Sequence, residues 1–505
     1  MRPCRKTDMQ KVLTAAEMRQ TEQAYFSQGA SSLSLMEKAA SFLAAAVWSA
    51  MPPEGKTCAF ACGCGGNGGD GFAAAQLFAE RGGRAIIVAS GEVRNPDAQL
   101  CFERAREKVF ACVKADELET LPRPDVWADC LYGIGLSRAP AGNELKLIGR
   151  MNADRALGSR TVACDIPSGL DADTGEMPGA CVQADLTVTF QALKRGHLLG
   201  RGMEMCGDVR VCDIGIPDEF LPPSPMRLIE NADVGTRLPS RPRAAHKNDF
   251  GHLLIVAGSL GMAGAAAICA GAALRTGAGL VTVACPQSIV NIIQTLVPCA
   301  MCVPLSEKDG ALSDGAAEEL RLALKGKTAL AIGPGLSRRA SARCIQAALE
   351  SGVKAVIDAD ALNIISEQAE LKALLHPGCA LTPHPGEAAR LTGQTGLSQA
   401  EYALALQSTG AAVLVKGASS VIAGSGLYVS SSGCVGMAKG GSGDALTGMT
   451  GALLAQGMES FEALWAASQL HGLAGEAAEK RFGKASMLAT DLVDCIPEAF
   501  KACAG

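Results

Sequence analysis

Short apolar runs alternate with helix-period patterns over nearly the whole chain. In the first half the runs are TCAFAC (57–62), AIIVAS (85–90), VWADCLYG (126–133), TVACDI (161–166) and LTVTF (186–190). Each is too short for a helix and predicts a buried strand. DGFAAAQLFAERG (70–82) carries its apolar residues at helical spacing and predicts a helix behind a glycine loop; two more helical patterns, near Ala15–Gln28 and Ser32–Ala50, come first. The second half repeats the style. LLIVAG (253–258), LVTVAC (280–285), ALAIG (329–333), AVIDA (355–359), ALTPH (380–384) and AVLVKG (412–417) predict strands. SVIAG (420–424) and LYVSS (427–431) predict a hairpin, and a long helix follows from about Asp444 to Gln456. Strands that alternate with helices imply parallel sheets covered on both faces, an α/β class.

The break in this pattern lies at DEFLPPSPMRL, where Pro222, Pro223 and Pro225 continue neither helix nor sheet pairing. A second Pro- and Arg-rich stretch, RLPSRPRAAHKNDFG (237–251), leads into the next strand. The junction is expected near 224, giving domains 1–224 and 225–505, and a chain of 505 residues suits two large domains. Leu253–Leu274 carries no charge, but Gly258, Gly261, Gly264 and Gly271 interrupt it; strand, loop and helix are expected there, not a membrane span.

Composition narrows the class. Apolar residues at 48% and charged residues at 19% suit large cores and argue against disorder. The 58 glycines, with only 4% aromatics, suggest tight turns and backbone-lined ligand loops. A net charge of −5 gives no argument for nucleic-acid or anionic-membrane partners. The 20 cysteines run from Cys4 to Cys503, and many, such as Cys58, Cys164 and Cys285, sit in strand-like runs as small hydrophobes. MRPCRKTDMQK has no apolar core of a signal peptide, so reduced thiols and a cytoplasmic location are expected.

Three strand-end loops of the first half carry candidate chemistry. CGCGGNGGDG (62–71) lets backbone N–H groups and a helix N-terminus approach an anion, although it is neither the dinucleotide G-x-G-x-x-G in register with a downstream acid nor a Walker A loop. DCLYGIGLSR (129–138) and DIPSGLDADTG (165–175) each place an acid at a strand end. Ligands of parallel sheets gather at such ends, and Asp, Asn and Ser oxygens there suit a hard cation. Asp171 and Asp173 read as turn chemistry. Cys62 and Cys64 have no second Cys or His pair nearby, so zinc is not expected.

Together with VTFQALKRGH (188–197), these loops resemble the NAD(P)H-hydrate epimerase family, the YjeF N-terminal domain, over about residues 10–220. The resemblance implies a Rossmann-like three-layer α/β/α fold, a bound potassium ion and interconversion of the R and S forms of hydrated NAD(P)H. Asn67, Asp129 and Ser168 would be the potassium ligands. Gly66, Asn67, Gly68, Gly69 and Asp70, then Gly133, Ile134, Gly135, Leu136, Ser137, Arg138 and Ala139, then Asp165, would contact the hydrated dinucleotide. This chain has Gly66-Asn67 where that family has Asn-Asn, and Cys64 where it has proline.

AKGGSGDALTGMTGALLAQG (438–457) is the sharpest motif of the second half. A Gly-Ser-Gly turn opens a helix whose first turn carries Asp444; free N–H groups there cradle a phosphate, and the acid is placed to take a proton from an attacking hydroxyl. A glycine turn with Asp in the first helical turn is also ordinary capping. Its company is GSLGMAGA (258–265), GPGLS (333–337), DADALN (358–363), TPHPGE (382–387), VLVKGASS (413–420) and HKNDFGHLLIVAGS (246–259). Over about 235–500 these resemble the ADP/ATP-dependent NAD(P)H-hydrate dehydratase family, a ribokinase-like fold that binds ADP or ATP with magnesium. That resemblance implies Asp444 as catalytic base and Gly443 in the anion hole. Lys416, Gly417, Ala418, Ser419 and Ser420 would line the nucleotide, and Ala265, Gly335, Leu336, His384 and Asp444 would face the hydrated nicotinamide. Ser337 stands where that family has Gly.

The two resemblances imply a cytoplasmic, homo-oligomeric enzyme acting on NADHX and NADPHX, with K+ in one half and Mg2+ with ADP (or ATP) in the other. Epimerisation would feed dehydration, which yields NAD(P)H, AMP and phosphate. Two other readings stay open: a ribokinase-like vitamin-precursor kinase, and an active dehydratase beside a non-catalytic N-terminal binding module.

Overall fold

A computed structural model describes residues 9–52, 57–223 and 225–504. The chain divides into a unit of residues 10–225 and a unit of residues 226–504 that includes Met9.

The first unit carries seven parallel strands: β1 (Thr57–Cys62), β2 (Arg84–Ala89), β3 (Ala111–Lys114), β4 (Val126–Cys130), β5 (Arg160–Cys164), β6 (Leu186–Phe190) and β7 (Asp208–Cys212). Their order is β3-β2-β1-β4-β5-β6-β7. The strand residues alternate between two cores. Cys58, Phe60 and Cys62 pack with Leu43 of α2 (Ser32–Ala50) and with Phe72 and Phe78 of α3 (Gly66–Glu80). Ala59 and Ala61 face the other way, into a core with Trp127. Helices α4 (Pro96–Arg106) and α5 (Gly142–Ala156) follow β2 and β4, and α5 supplies Leu147, Ile148 and Met151 to the second core. Both cores are needed to cover a sheet whose strands are apolar on both faces. Before them, α1 (Ala15–Ser27) opens on a capping box, the Thr14 hydroxyl accepting from Glu17 N and the Glu17 carboxylate from Thr14 N.

The second unit runs β8 (Met226–Leu228), β9 (His252–Val256), β10 (Leu280–Pro286), β11 (Met301–Leu305), β12 (Ala329–Ile332), β13 (Lys354–Ile357), β14 (Cys379–Leu381), β15 (Ala412–Val415), β16 (Ser420–Ala423) and β17 (Leu427–Ser430). The order is β11-β10-β9-β12-β13-β14-β15-β16-β17-β8, parallel except for the β15-β16-β17 pairings. Leu253, Ile255, Val281 and Val283 pack with α6 (Ala263–Thr276), α8 (Ser442–Ala455) and α9 (Ser460–Phe482) through residues such as Ala266, Met449 and Leu470. The alternate residues Leu254, Val256, Leu330 and Ile357 are buried too, so this sheet is also covered on both faces. The α/β class read from the sequence therefore holds in each unit. Leu253–Leu274 is strand, loop and helix, and no helix among the described residues is long and apolar enough to cross a membrane.

Two local readings change. The helix expected from residue 70 begins at Gly66, inside the glycine run. Strands β3, β7 and β11 were not evident as apolar runs, because β7 (DVRVC) and β11 (MCVPL) are sheet edges and β3 is short and half-exposed.

Candidate active sites

In each sheet the strand order reverses at one point, between β1 and β4 and between β9 and β12. Ligands of parallel sheets gather outside the strand ends at such a reversal. In the first unit a cavity of about 610 Å³ lies at this point, lined by the loops after β1 and β4, by α1, by Asp165 after β5 and by Lys194 after β6.

The predicted residues divide. Gly66, Asn67, Asp70, Gly133, Ile134, Gly135, Arg138 and Asp165 line the cavity; Gly68, Gly69, Leu136, Ser137 and Ala139 do not. Gly68 and Gly69 have a packing reason instead. A Cβ on Gly68 would lie 2.0 Å from the Gly63 carbonyl oxygen, and one on Gly69 2.5 Å from Met36 Sδ, so the run lets α3 sit tight against the β1 loop and α2. A Cβ on Gly66 meets nothing, so the asparagine missing at this position would point into open space. Asp171 accepts from Asp173 N and Thr174 N, and Asp173 from Ala15 N, which are the turn and capping roles expected of short acids.

Asp165 is the centre of the buried end. Its backbone is held at φ +65°, a left-handed conformation that a non-glycine residue keeps only when its surroundings enforce it. Lys194 Nζ donates to Asp165 Oδ1 at 2.6 Å, to Thr189 Oγ1 at 2.9 Å and to the Phe190 carbonyl at 3.0 Å. Burial would raise the Asp165 pKa, but the Lys194 charge and hydrogen bond outweigh it and hold the carboxyl below its usual range. His197 Nδ1 accepts from Lys194 N, which leaves its Nε2–H to donate to the Asp165 carbonyl at 2.8 Å. Burial pushes this imidazole down to about 4, so it is neutral at pH 7. Glu22 and Asp70 share this end of the cavity. Burial and the Asp165 charge raise both carboxyls, Asp70 strongly, beside the fixed Asp165–Lys194 pair. Such a set holds and moves protons at a substrate carbon or oxygen.

Asp129 and Ser168 lie beneath the cavity, fully buried. The Asp129 carboxylate accepts from Ser168 N at 2.7 Å and from Ser168 Oγ at 2.6 Å, and Ser168 Oγ accepts from Tyr132 N at 2.9 Å. Burial pushes Asp129 up to about 6. The Asn67 side-chain nitrogen is buried without a partner among the described residues.

In the second unit the loops after β9 and β12 touch: a Cβ on Gly335 would lie 2.9 Å from Ala265 Cβ, and Ser259 Oγ donates to the Gly335 carbonyl. Leu336 is fully buried. Lys416, at the end of β15, reaches Asp358 Oδ1 at 2.7 Å, and Thr447 of α8 donates to Asp358 Oδ2 at 2.7 Å. Burial would lower Lys416, but the charges of Asp358 and Glu387 hold it above its usual value. Gly441, at φ +98°, turns the chain into α8, whose first N–H groups have no helical acceptor. The His471 ring donates from Nε2 to the Ser442 carbonyl at 2.9 Å; burial pushes it down to about 4, so it braces that turn as a neutral group. Gly443, in the first turn of α8, faces the Lys416–Asp358 pair, a Cβ there standing 3.5 Å from Lys416 Nζ and 3.7 Å from Asp358 Oδ2. Burial, then the Asp358 charge, pushes Asp444 up to about 6 against the pull of Lys416.

The Lys416–Ser420 segment is held from behind by Gln399, whose side-chain nitrogen donates to the Val415 and Ser419 carbonyls. His384 caps α7 (Pro385–Thr392): its Nδ1 accepts from Gly386 N, and Glu387 returns the bond to His384 N. That box brings Glu387 to 4.0 Å from Lys416. Ser337 sits at φ +70°, the conformation that explains a glycine preference there. Ser337→Gly is therefore expected to stabilise the protein by up to about 1 kcal/mol in urea unfolding, since Ser337 N keeps its bond to Asp360. A loss of stability would mean that the bond from Arg339 N to the Ser337 hydroxyl outweighs the strain.

Sequence reasoning assigned no role to Lys194, His197, Glu22, Glu387, Thr447 or His471. VTFQALKRGH was singled out as a whole, and its lysine was the available signal.

Comparison with known proteins follows the same division. The NAD(P)H-hydrate dehydratase family model matches residues 253–498, and that of the YjeF-related protein N-terminus matches residues 32–196. The chain is 35% identical over 457 residues to the bifunctional NAD(P)H-hydrate repair enzyme Nnr of Moorella thermoacetica, 86% of each chain. It is 35% identical over 462 residues to that of Coxiella burnetii, 87% of this chain and 89% of the relative. The solved ADP/ATP-dependent NAD(P)H-hydrate dehydratase from Bacillus subtilis, co-crystallized with ATP/Mg2+, aligns with 56% of this chain and 99% of its own at 28% identity and a TM-score of 0.47. Similarity of this extent to full-length relatives, with a family model on each half, makes the chain a member of the bifunctional NAD(P)H-hydrate repair enzyme family.

Proposed function

We propose that residues 1–224 equilibrate the R and S epimers of NADHX and NADPHX, and that residues 225–505 dehydrate the S epimer with ADP, or ATP in its place, in the cytoplasm and as a homo-oligomer. The observation that carries the reading is Asp444, a carboxyl raised to about 6 in the first turn of a helix whose N–H groups are open to phosphate. As a base it accepts the proton of the substrate's C6 hydroxyl while that oxygen attacks the terminal phosphorus. The Gly443 turn and Lys416 balance the growing phosphoryl charge. Loss of phosphate then restores NAD(P)H. Mg2+ with the nucleotide would neutralise phosphate charge, and Asp358 and Asp360 are the carboxylates that would meet it.

In the first unit Asp165, Lys194 and the acids Glu22 and Asp70 would hold and exchange the protons of epimerisation. Asn67, Asp129 and Ser168 would hold K+. Their oxygens suit a hard cation, Asp129 is a buried carboxylate without an ion pair among the described residues, and nothing pins the Asn67 amide against turning its oxygen inward. No group of three His, Cys, Asp or Glu among the described residues is placed to hold a metal, so such a site would rest on these neutral oxygens beside one carboxylate. The ion would offset the charge of Asp129 and fix the loops after β4 and β5.

This has a thermodynamic consequence. A carboxyl raised by burial opposes folding once ionised, so without K+ the unit should lose up to about 3 kcal/mol as pH rises from about 4 through 6. K+ should restore it, most strongly above about pH 6. Melting curves in potassium and in tetramethylammonium chloride across that range check this, and Asp129→Asn should raise Tm without K+ and abolish the K+ response. An undiminished response in the variant rejects the site.

Absorbance at 340 nm of the protein with mixed R and S NADHX, K+, Mg2+ and ADP or ATP tests the whole reading. Full conversion to NADH, corrected for spontaneous epimerisation, is expected. A stop at the S fraction would reduce the first unit to a binding module, and no recovery with either nucleotide would point to a vitamin-precursor kinase.

A further inference from the structure

We infer that Arg94 recognises the 2′-phosphate of NADPHX and so sets the preference of the first unit between the phosphorylated and unphosphorylated substrates. The inference rests on the epimerase reading above.

Three observations carry it. The first is place. Arg94 lines the cavity from the loop after β2, and β2 lies beside β1 in a sheet of order β3-β2-β1-β4. In dinucleotide-binding sheets of this order the end of β2 meets the adenosine ribose, and an arginine there accommodates a 2′-phosphate where an acid would take the free hydroxyl; the strand order is shared here although the first glycine turn differs. Glu92, the acid of the same loop, is exposed and does not line the cavity.

The second is anchoring. Arg94 N donates to the Cys64 carbonyl at 3.0 Å, which ties the loop to the glycine run. The next residue, Asn95, caps α4 through its side chain, and Asn143 Nδ2 holds the Ser90 carbonyl at 3.0 Å. The backbone that carries the guanidinium is thus fixed on both sides, so only the side chain is left to order on binding.

The third is unspent charge at the right end. The Arg94 guanidinium has no hydrogen bond or ion pair among the described residues. Lys194 is committed to Asp165, and Arg19 to the Ile134 carbonyl. The buried end is filled by Glu22, Asp70 and the Asp165–Lys194 pair, which leave no unpaired cation there for a phosphate and suit the uncharged hydrated ring. The phosphates are left to the exposed mouth, where Arg94 and Arg138 stand. Arg138, on the loop after β4, is placed for the pyrophosphate that both substrates share.

Epimerisation of NADPHX and NADHX by the full-length protein decides the matter. Arg94→Ala should lower kcat/KM for NADPHX about 10- to 100-fold and leave NADHX within about twofold, the loss of one charge-assisted phosphate contact. Arg94→Lys should recover part of the NADPHX rate, and Arg138→Ala should lower both substrates together. Equal losses on both substrates with Arg94→Ala, or no loss on NADPHX, overturns the assignment. A wild-type protein that epimerises neither substrate fails the epimerase reading itself and takes this inference with it.

Discussion

Asp444→Asn is expected to slow dehydration of S-NADHX by about 10²- to 10⁴-fold, the contribution of one positioned base, while nucleotide affinity stays within about threefold. The amide keeps the shape of the carboxyl, and the anion-binding turn is backbone, so only proton acceptance is lost. The pH profile carries a second signature. Burial and the Asp358 charge raise the carboxyl to about 6, so the wild-type rate should climb as pH passes about 6 and level off above. Lys416 opposes that rise, so Lys416→Met should move the midpoint to higher pH as well as weaken nucleotide binding. NADH appearance at 340 nm gives the rate and calorimetric ADP titration the affinity. Turnover within tenfold of wild type in Asp444→Asn would remove Asp444 as the base.

The second large effect falls on the Asp165–Lys194 pair. Both side chains are nearly excluded from water, so Lys194→Met leaves a buried carboxylate without its partner and should cost about 3–5 kcal/mol in urea unfolding. The Asp165 carboxyl would then lose the charge that offsets its burial, and its pKa would rise. Asp165→Asn suits the left-handed backbone and keeps an acceptor for Thr189, so it should cost less than Asp165→Ala. Combined with Lys194→Met it should recover most of the stability but none of the epimerisation. A double variant as unstable as Lys194→Met alone would show that packing, not charge, holds the pair. Normal epimerisation in Asp165→Asn would end its role in proton transfer.

The elements visible in the sequence share one physical trait. Thr57–Cys62, Leu253–Val256 and Ala412–Val415 are covered on both faces, so burial writes itself as an unbroken apolar run. Edge strands β7 and β11 and the short β3 have water on one side or at one end, and their residues need not be apolar. Glycine was visible but ambiguous. In the 62–71 run it serves the approach of α3 to its neighbours as much as an open backbone, and a one-dimensional pattern does not separate the two.

By itself, the sequence determined the α/β class, the central strands and the motifs that place the chain in its family, because these depend on local spacing and on residues a few positions apart. Only the tertiary structure decided which charges share a site. Lys194 lies 29 residues from Asp165, and they meet because a parallel sheet brings distant strand ends to one edge; Thr447 lies 89 from Asp358 and reaches it from α8, which packs on the other sheet. The raised Asp444 and Asp129, the lowered Asp165 and the neutral His197 and His471 follow from burial and from charges a few ångströms away. Coulomb energy and desolvation depend on distance and exposure in space, and neither is a property of position along the chain.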